Sequence, residues 1–277
     1  MPVADGGEGT AEALHAVLDG EWRSAEVCDP FGRPVTARFL VTPDGRTVVE
    51  SAEAIGLRRL TREERDPLRA SSRGLGELIA ATGGGELIIT LGDTATVDGG
   101  AGFREVVDEL PVRTTVLCDV TNPLLDAARV FAAQKGASPE QVHELERRLA
   151  GMDELRPFAE LPGAGAAGGL GAALAALGAE LVPGAEFVLS AVGLRERLRG
   201  AALAVTGEGT VDRTSAEGKV AGAVVRLCAE AGIRCAVFGG RVVEPLPGGE
   251  SYELSGDPER AREDLVALGE RLARSVL

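Results

Sequence analysis

Apolar and polar positions change rhythm along the 277 residues. A Gly-rich opening leads into AEALHAVL, which predicts a helix from Thr10 to Leu18. Hairpin-like segments follow: PVTARFLV, the turn Pro43-Asp44-Gly45, and RTVVESA. A Pro-Asp-Gly turn between β-rich runs is a hairpin signal. From Arg58 to Asp66 the chain is polar and densely charged, which predicts a solvated helix or linker with no functional part. From Ser71 short β runs alternate with helices. The strands ELIITLG (86–92), TTVLCDV (114–120), ALAVTGEG (202–209) and CAVFGGRV (235–242) are almost continuously apolar. Each runs into Gly or Asp at its C-terminal end. Such strands predict an α/β fold with a parallel sheet covered on both faces. Residues 1–70, helix plus hairpin, are expected in a smaller mixed lobe, and 71–277 in a mainly parallel α/β lobe, with interleaving allowed. Ligands of such sheets sit beyond the carboxyl ends of the strands. Asp93, Asp98, Asp119, Glu208 and Asp212 are therefore expected to gather along one edge.

Composition narrows the chemistry. At ~150 residues per domain the length suggests two lobes. The net charge of −14 argues against nucleic acid or an anionic membrane as partner, since both need a basic face. No stretch of 18 apolar residues exists, and the Gly/Ala-rich segment 163–182 suits a packed internal helix. The start MPVADGGEGT has neither the basic nor the apolar region of a signal peptide. Cys28, Cys118, Cys228 and Cys235 form no C-x-x-C pair, which fits a reducing, cytoplasmic setting, and Cys118 is expected to pack as a small hydrophobe. With only His15 and His143, both expected on helix surfaces, a Cys/His zinc site has almost no material and a histidine-based nucleophile is disfavoured.

Glycine is the outlier, at 38 residues. Four loops concentrate it: 4–10, 92–102, 162–171 and 206–212, the last followed by Gly218-Lys219. Small residues before a helix leave backbone N–H groups aimed at an anion. The G-A-G-A-A-G run in the third loop follows no convincing strand, which weakens a dinucleotide reading, and Gly218-Lys219 lacks Walker A spacing. Of 29 basic residues, only Lys135 and Lys219 are lysine. A compact ammonium beside glycine suits phosphate or carboxylate. Acids at strand ends, two lysines and open amides together meet the inventory of phosphoryl transfer from a Mg-nucleotide, although any single acid could be a helix cap.

The segments VADGGEGT (3–10), RDPLRASSRGLGELI (65–79), TATVDGGAG (94–102), CDVTNPLL (118–125), AAQKGA (132–137), PGAGAAGGLG (162–171) and TGEGTVD…GK (206–219) resemble, in the same order, the motif series of the bacterial class I glycerate kinases. The resemblance implies ATP- and Mg2+-dependent phosphorylation of D-glycerate, giving 2-phosphoglycerate. It also implies a two-lobed glycerate kinase type I fold, one lobe flavodoxin-like and the other restriction-enzyme-like, with the substrate cleft between them. The matching positions are Asp5, Glu8, Glu77, Asp98, Asp119, Asn122, Gln134, Lys135, Glu208, Asp212 and Lys219. Asp212, Glu208, Lys219 and Asp98 are the catalytic candidates, with Asp212 and Glu208 also the metal candidates. Asp5, Gly6, Gly7, Glu8, Thr96, Gly99, Gly100, Asp119, Asn122, Lys135, Gly165, Gly168 and Gly207 are the binding candidates. A homodimer is compatible with this reading, as is a non-catalytic homologue that binds a hydroxy acid or nucleotide. Members usually start well upstream, with a strand and a segment like A-P-D-S-F-K-G-S, so an upstream start codon or a shortened paralogue is expected. Members commonly carry Gly and Asn at positions 93 and 97 and Arg at 210. Asp93 and Thr210 make the expected site more negative here.

Overall fold

The computed structural model describes residues 1–111, 113–216 and 219–276. Its contacts divide the chain into two compact units, Met1–Val188 and Leu189–Leu277.

In the first unit β1 (Glu21–Cys28), β2 (Pro34–Val41), β3 (Arg46–Glu50), β4 (Glu86–Leu91), β5 (Thr114–Cys118) and β6 (Glu180–Pro183) form one sheet in chain order. β1, β2 and β3 run antiparallel, whereas β3, β4, β5 and β6 run parallel. The α/β class and the mostly parallel sheet are as the sequence predicts. The expected change of lobe near residue 70 is not where the chain divides. Arg46 to Glu50 pair in register with Glu86 to Thr90, so hydrogen bonding runs straight through that point.

The hairpin forms as expected. Gly45 takes φ 86, and Thr42 N donates to Arg46 O at 2.9 Å to close a three-residue turn. The second arm stops at Glu50, and Ser51–Ile55 turn helical. β1 was not foreseen, because EWRSAEVC shows no clean alternation; it pairs with β2 from Glu21↔Val41 to Cys28↔Pro34 as the half-exposed edge of the sheet. The helix Thr10–Leu18 starts against β3, where the buried Glu50 Oε1 accepts Ala11 N at 2.7 Å. A carboxylate there satisfies an amide that the first helical turn leaves without a partner. The core of this unit lies on the sheet: Val49, Ile89, Leu91 and Val116 pack with Leu75, Leu78, Phe103, Leu145 and Leu170. The segment 163–182 contains the expected buried helix, Ala166–Ala176, interrupted by left-handed Ala167, Gly168 and Gly169 and regular only beyond them, followed by β6.

In the second unit β7 (Leu203–Val211), β8 (Arg234–Val242) and β9 (Glu250–Glu253) form a parallel sheet in that order. Ala236 of the central β8 is fully buried and packs with Leu268 and Leu272 of the C-terminal helix Ala261–Arg274. β7 is an edge strand and is not covered on both faces as expected, with Val205 52 % exposed. No helix among the described residues is long and apolar enough to cross a membrane.

Candidate active site

The turns that follow β3, β4 and β5 surround a cavity of about 550 Å³ in the first unit. Its charged and amide groups come from Arg58, Arg65, Asp93, Asp119, Gln134 and Lys135, with Thr94, Phe131 and Ala167 completing the wall. A parallel sheet leaves its ligand-facing loops at these carboxyl ends.

Lys135 sits on the short 3-10 turn Ala133–Lys135 and is only 4 % exposed. Its Nζ donates to Thr96 O at 2.8 Å and to Thr94 Oγ1 at 3.2 Å. Burial pushes the ammonium down to about 8, against the pull of Asp98, Asp93 and Asp119. Asp119, directly after β5, moves the other way. Burial and the neighbouring Asp5 push its carboxyl up to about 6. Asp5 itself accepts Gly7 N at 3.2 Å. A carboxyl near 6 can hold or release a proton at neutral pH, which is what a general base needs. Cys118, beside it, is pushed up to about 12 by burial and remains an inert thiol.

Arg58 is held from behind. Its Nη1 pairs with Glu8 Oε1 at 2.5 Å and its Nη2 with Glu53 Oε1 at 2.8 Å. Burial alone would raise the Glu53 carboxyl, but hydrogen bonds from Arg38 and Arg58 outweigh it and hold the group below its ordinary value. Arg65 donates weakly to Gln134 O at 3.4 Å, and its Nε is buried with no hydrogen-bond partner among the described residues. A buried donor without an acceptor costs free energy, so a site that supplies an acceptor gains affinity there. The polar run from Arg58 to Asp66 folds as two 3-10 turns, Leu57–Arg59 and Arg62–Glu64, and brings two guanidinium groups to the cavity wall.

The glycines expected to cradle an anion have packing reasons of their own. A Cβ on Gly6 would lie 3.0 Å from Leu117 Cβ, and one on Gly92 would lie 2.5 Å from Gly7 Cα. The loops 94–102 and 162–171 lock together: Gly99 N donates to Gly168 O at 3.0 Å. A Cβ on Gly168 would meet Thr96 O at 2.1 Å, and one on Gly100 would meet Ala173 Cβ at 2.5 Å. Gly165 N donates to Asn122 O at 2.9 Å, tying the loop to the segment after β5. Gly6, Gly7, Gly99, Gly100, Gly165 and Gly168 are not among the residues that line the cavity. Thr96 contributes through its carbonyl to Lys135, and Glu8 through Arg58. Asp98 is fully engaged, accepting Ser72 N and Ser72 Oγ at 2.8 Å and Gly100 N and Gly102 N at 3.1 Å. Glu77 braces the helix Arg73–Ala80 to the end of β1, accepting Cys28 N at 2.8 Å.

A family model described as the glycerate kinase family matches residues 1–108 and 104–253. Glycerate 2-kinase of Escherichia coli (strain K12) is 41 % identical over 266 residues, which cover 79 % of this chain and 70 % of that protein. The chain belongs to the glycerate kinase family. Glycerate kinase of Halalkalibacterium halodurans is 34 % identical over 299 residues, covering 91 % of this chain and 77 % of the relative. The crystal structure of a putative glycerate kinase 2 from Salmonella typhimurium LT2 superposes with a TM-score of 0.79 at 30 % identity, covering 99 % of this chain and 87 % of that one.

Within this family member the strand-end acids do not share one sheet edge. Asp93, Asp98 and Asp119 follow β4 and β5, whereas Glu208 lies in β7 and Asp212 follows it, in the separate sheet of the second unit. The one shared edge expected for these acids requires one continuous sheet, whereas β7, β8 and β9 form a sheet of their own. Glu208 Oε2 accepts Lys219 Nζ at 3.3 Å, and Glu208 Oε1 is buried without a partner among the described residues. Asp212 Oδ1 accepts Thr214 N at 2.8 Å and Thr214 Oγ1 at 2.6 Å, and these bonds hold its carboxyl below the usual range. Gly207 sits where a Cβ would meet the Phe238 ring at 2.5 Å. Gly218 lies outside the described residues. His143 is exposed on the helix Pro139–Ala150, as expected, and His15 is half-buried beside Trp22. The sequence reading missed Arg58, Arg65, Glu50 and Glu53. Only the unbroken R-R and E-E pairs of the 58–66 run offered a signal, and charge runs of that kind usually coat a solvated face.

Proposed function

We propose that this chain transfers the γ-phosphoryl group of ATP to D-glycerate, giving 2-phosphoglycerate. The observation that carries the reading is the first-unit cavity, in which Arg58, Arg65 and Lys135 stand with an Asp119 carboxyl raised to about 6. The 41 % identical relative named glycerate 2-kinase supports the choice of the 2-hydroxyl. In this reading the guanidinium groups and the ammonium grip the carboxylate of glycerate. Asp119 takes the proton of the attacking hydroxyl as the new O–P bond forms and the bond to the departing ADP breaks. Catalysis is mostly positioning and charge stabilisation, as in other phosphoryl transfers.

The second unit offers donors that fit a Mg-nucleotide. Mg2+ commonly uses one or two carboxylates, with phosphate oxygens and waters filling its other positions. Glu208, whose buried Oε1 has no partner among the described residues, and Asp212 would hold it, and Lys219 would stand by the phosphates. No group of three or more His, Cys, Asp or Glu that could hold a metal by itself occurs among the described residues. When bound, the ion offsets the charge that builds on the phosphoryl oxygens. The reading places the enzyme in the cytoplasm, and four free cysteines support that setting. Phosphorus NMR of a mixture with D-glycerate, ATP and Mg2+ tests it. The expected product is 2-phosphoglycerate; absence of ATP consumption refutes the reading, and ligand-induced thermal shifts without turnover would mark a binding protein instead.

A further inference from the structure

Asp93 departs from the rest of the cavity wall. Its backbone stands at φ 50, a left-handed conformation that Asp and Asn enter more readily than other residues with a Cβ. Leu57 N donates to its carbonyl at 2.8 Å and so fixes the turn. The residue is exposed at the cavity, and among the described residues its carboxylate makes no ion pair within 4.0 Å. Of the three cations near it, Arg65 keeps a buried Nε without a hydrogen-bond partner among the described residues, and the other two are engaged elsewhere. Arg58 is taken by Glu8 and Glu53, and Lys135 by Thr94 and Thr96. The Asp93 carboxylate therefore stands at the cavity within the field of Arg58, Arg65 and Lys135 but in direct contact with none of them.

The charges that line the cavity give that carboxylate a purpose. Arg58, Arg65 and Lys135 share the cavity wall with the carboxylates of Asp93 and Asp119, and Glu8 and Glu53 already balance Arg58 from behind. Without Asp93 the cavity would lose a carboxylate that no cation pairs directly. We propose that Asp93 is a specificity-determining residue that sets the cavity to accept a monoanionic hydroxy acid and to turn away dianions. The inference deepens the kinase reading, on which the identity of the monoanion rests. Discrimination arises because a second carboxylate on the ligand would face an unpaired carboxylate of the protein, and like charges brought together cost affinity. Asp93 acts on how the ligand binds and takes no part in bond making.

Calorimetric titration at pH 7.5 tests this with three ligands of one shape class: neutral D-glyceramide, monoanionic D-glycerate and dianionic tartronate. The proteins are the wild type, Asp93→Asn and Asp93→Gly. Asn tolerates the left-handed conformation as Asp does, so the first variant removes the charge and leaves the backbone as it is. For Asp93→Asn the expected gain in affinity is less than about twofold for the amide, about tenfold for D-glycerate and about a hundredfold for tartronate. Asp93→Gly should reproduce the same gradation. An equal change for all three ligands, a gain confined to Asp93→Gly, or no binding in any variant overturns the proposal. Turnover is measured separately. Charge-graded affinity without turnover would refute the kinase reading and leave this inference standing, whereas turnover with ungraded affinity would do the reverse.

Discussion

Replacing Asp119 by Asn removes a charge that the fold holds at a cost. The carboxyl is raised from 3.8 to about 6, first by burial and then by Asp5. At about 1.36 kcal/mol per pH unit, that difference corresponds to at most ~3 kcal/mol against the native state. Asp119 retains some solvent exposure, which reduces the expected gain to about 1–2 kcal/mol. The sign follows from proton binding. Between pH 3.8 and 6 the folded chain binds more protons at this site than the unfolded chain, so the penalty grows as pH rises through that window and is complete above it. Asp119→Asn should therefore melt above the wild type at pH 7.5, by about 2–6 °C, and the advantage should vanish by pH 4. Activity should move oppositely. Asn cannot take a proton from the substrate hydroxyl, so kcat should fall by about 10²- to 10⁴-fold. The acid limb of the wild-type kcat/KM profile, expected near pH 6, should disappear in the variant and shift downward in Asp5→Asn. Melting curves and rate profiles across pH 4–8.5 measure both effects. A variant that is less stable at pH 7.5 and still turns over would refute the assignment of Asp119 as a strained base.

Two further outcomes separate packing from chemistry. Gly168→Ala would place a Cβ 2.1 Å from Thr96 O at φ 73, and should lose at least about 3 kcal/mol in urea denaturation, together with the carbonyl that anchors Lys135; unchanged stability would show that the two loops do not interlock as described. Asp98→Ala strips four hydrogen bonds from Ser72, Gly100 and Gly102 and should also cost about 3 kcal/mol or more, while kcat per folded molecule stays within about threefold; a stable but inactive variant would return Asp98 to the catalytic group.

Local pattern made part of this protein legible. The helix Thr10–Leu18 and the strands near 86–91 and 114–118 follow from periodicity, and the Pro43–Gly45 turn follows from the φ that only its last residue takes easily. The boundary between units was not legible, because the pairing of β3 with β4 joins segments on either side of the charged run 58–66, which reads like a linker. β1 escaped because an edge strand needs no strict alternation. At the site, Asp119 and Lys135 were visible as strand-end and glycine-flanked charges. Arg58 and Arg65 were not, since nothing local distinguishes a guanidinium that turns into a cavity from one that coats a surface. The hydrogen bonds of Asp98 were not visible: its partner Ser72 lies 26 positions away and appears only when the loops fold together.

The anchoring of Lys135 to Thr96, a residue itself clamped by the 162–171 loop, fixes where the ammonium stands before anything enters. A guest then finds its counter-charge already immobilised, with no side chain left to recruit. The entropy of arranging that charge is spent during folding, once per molecule, and not again at every encounter.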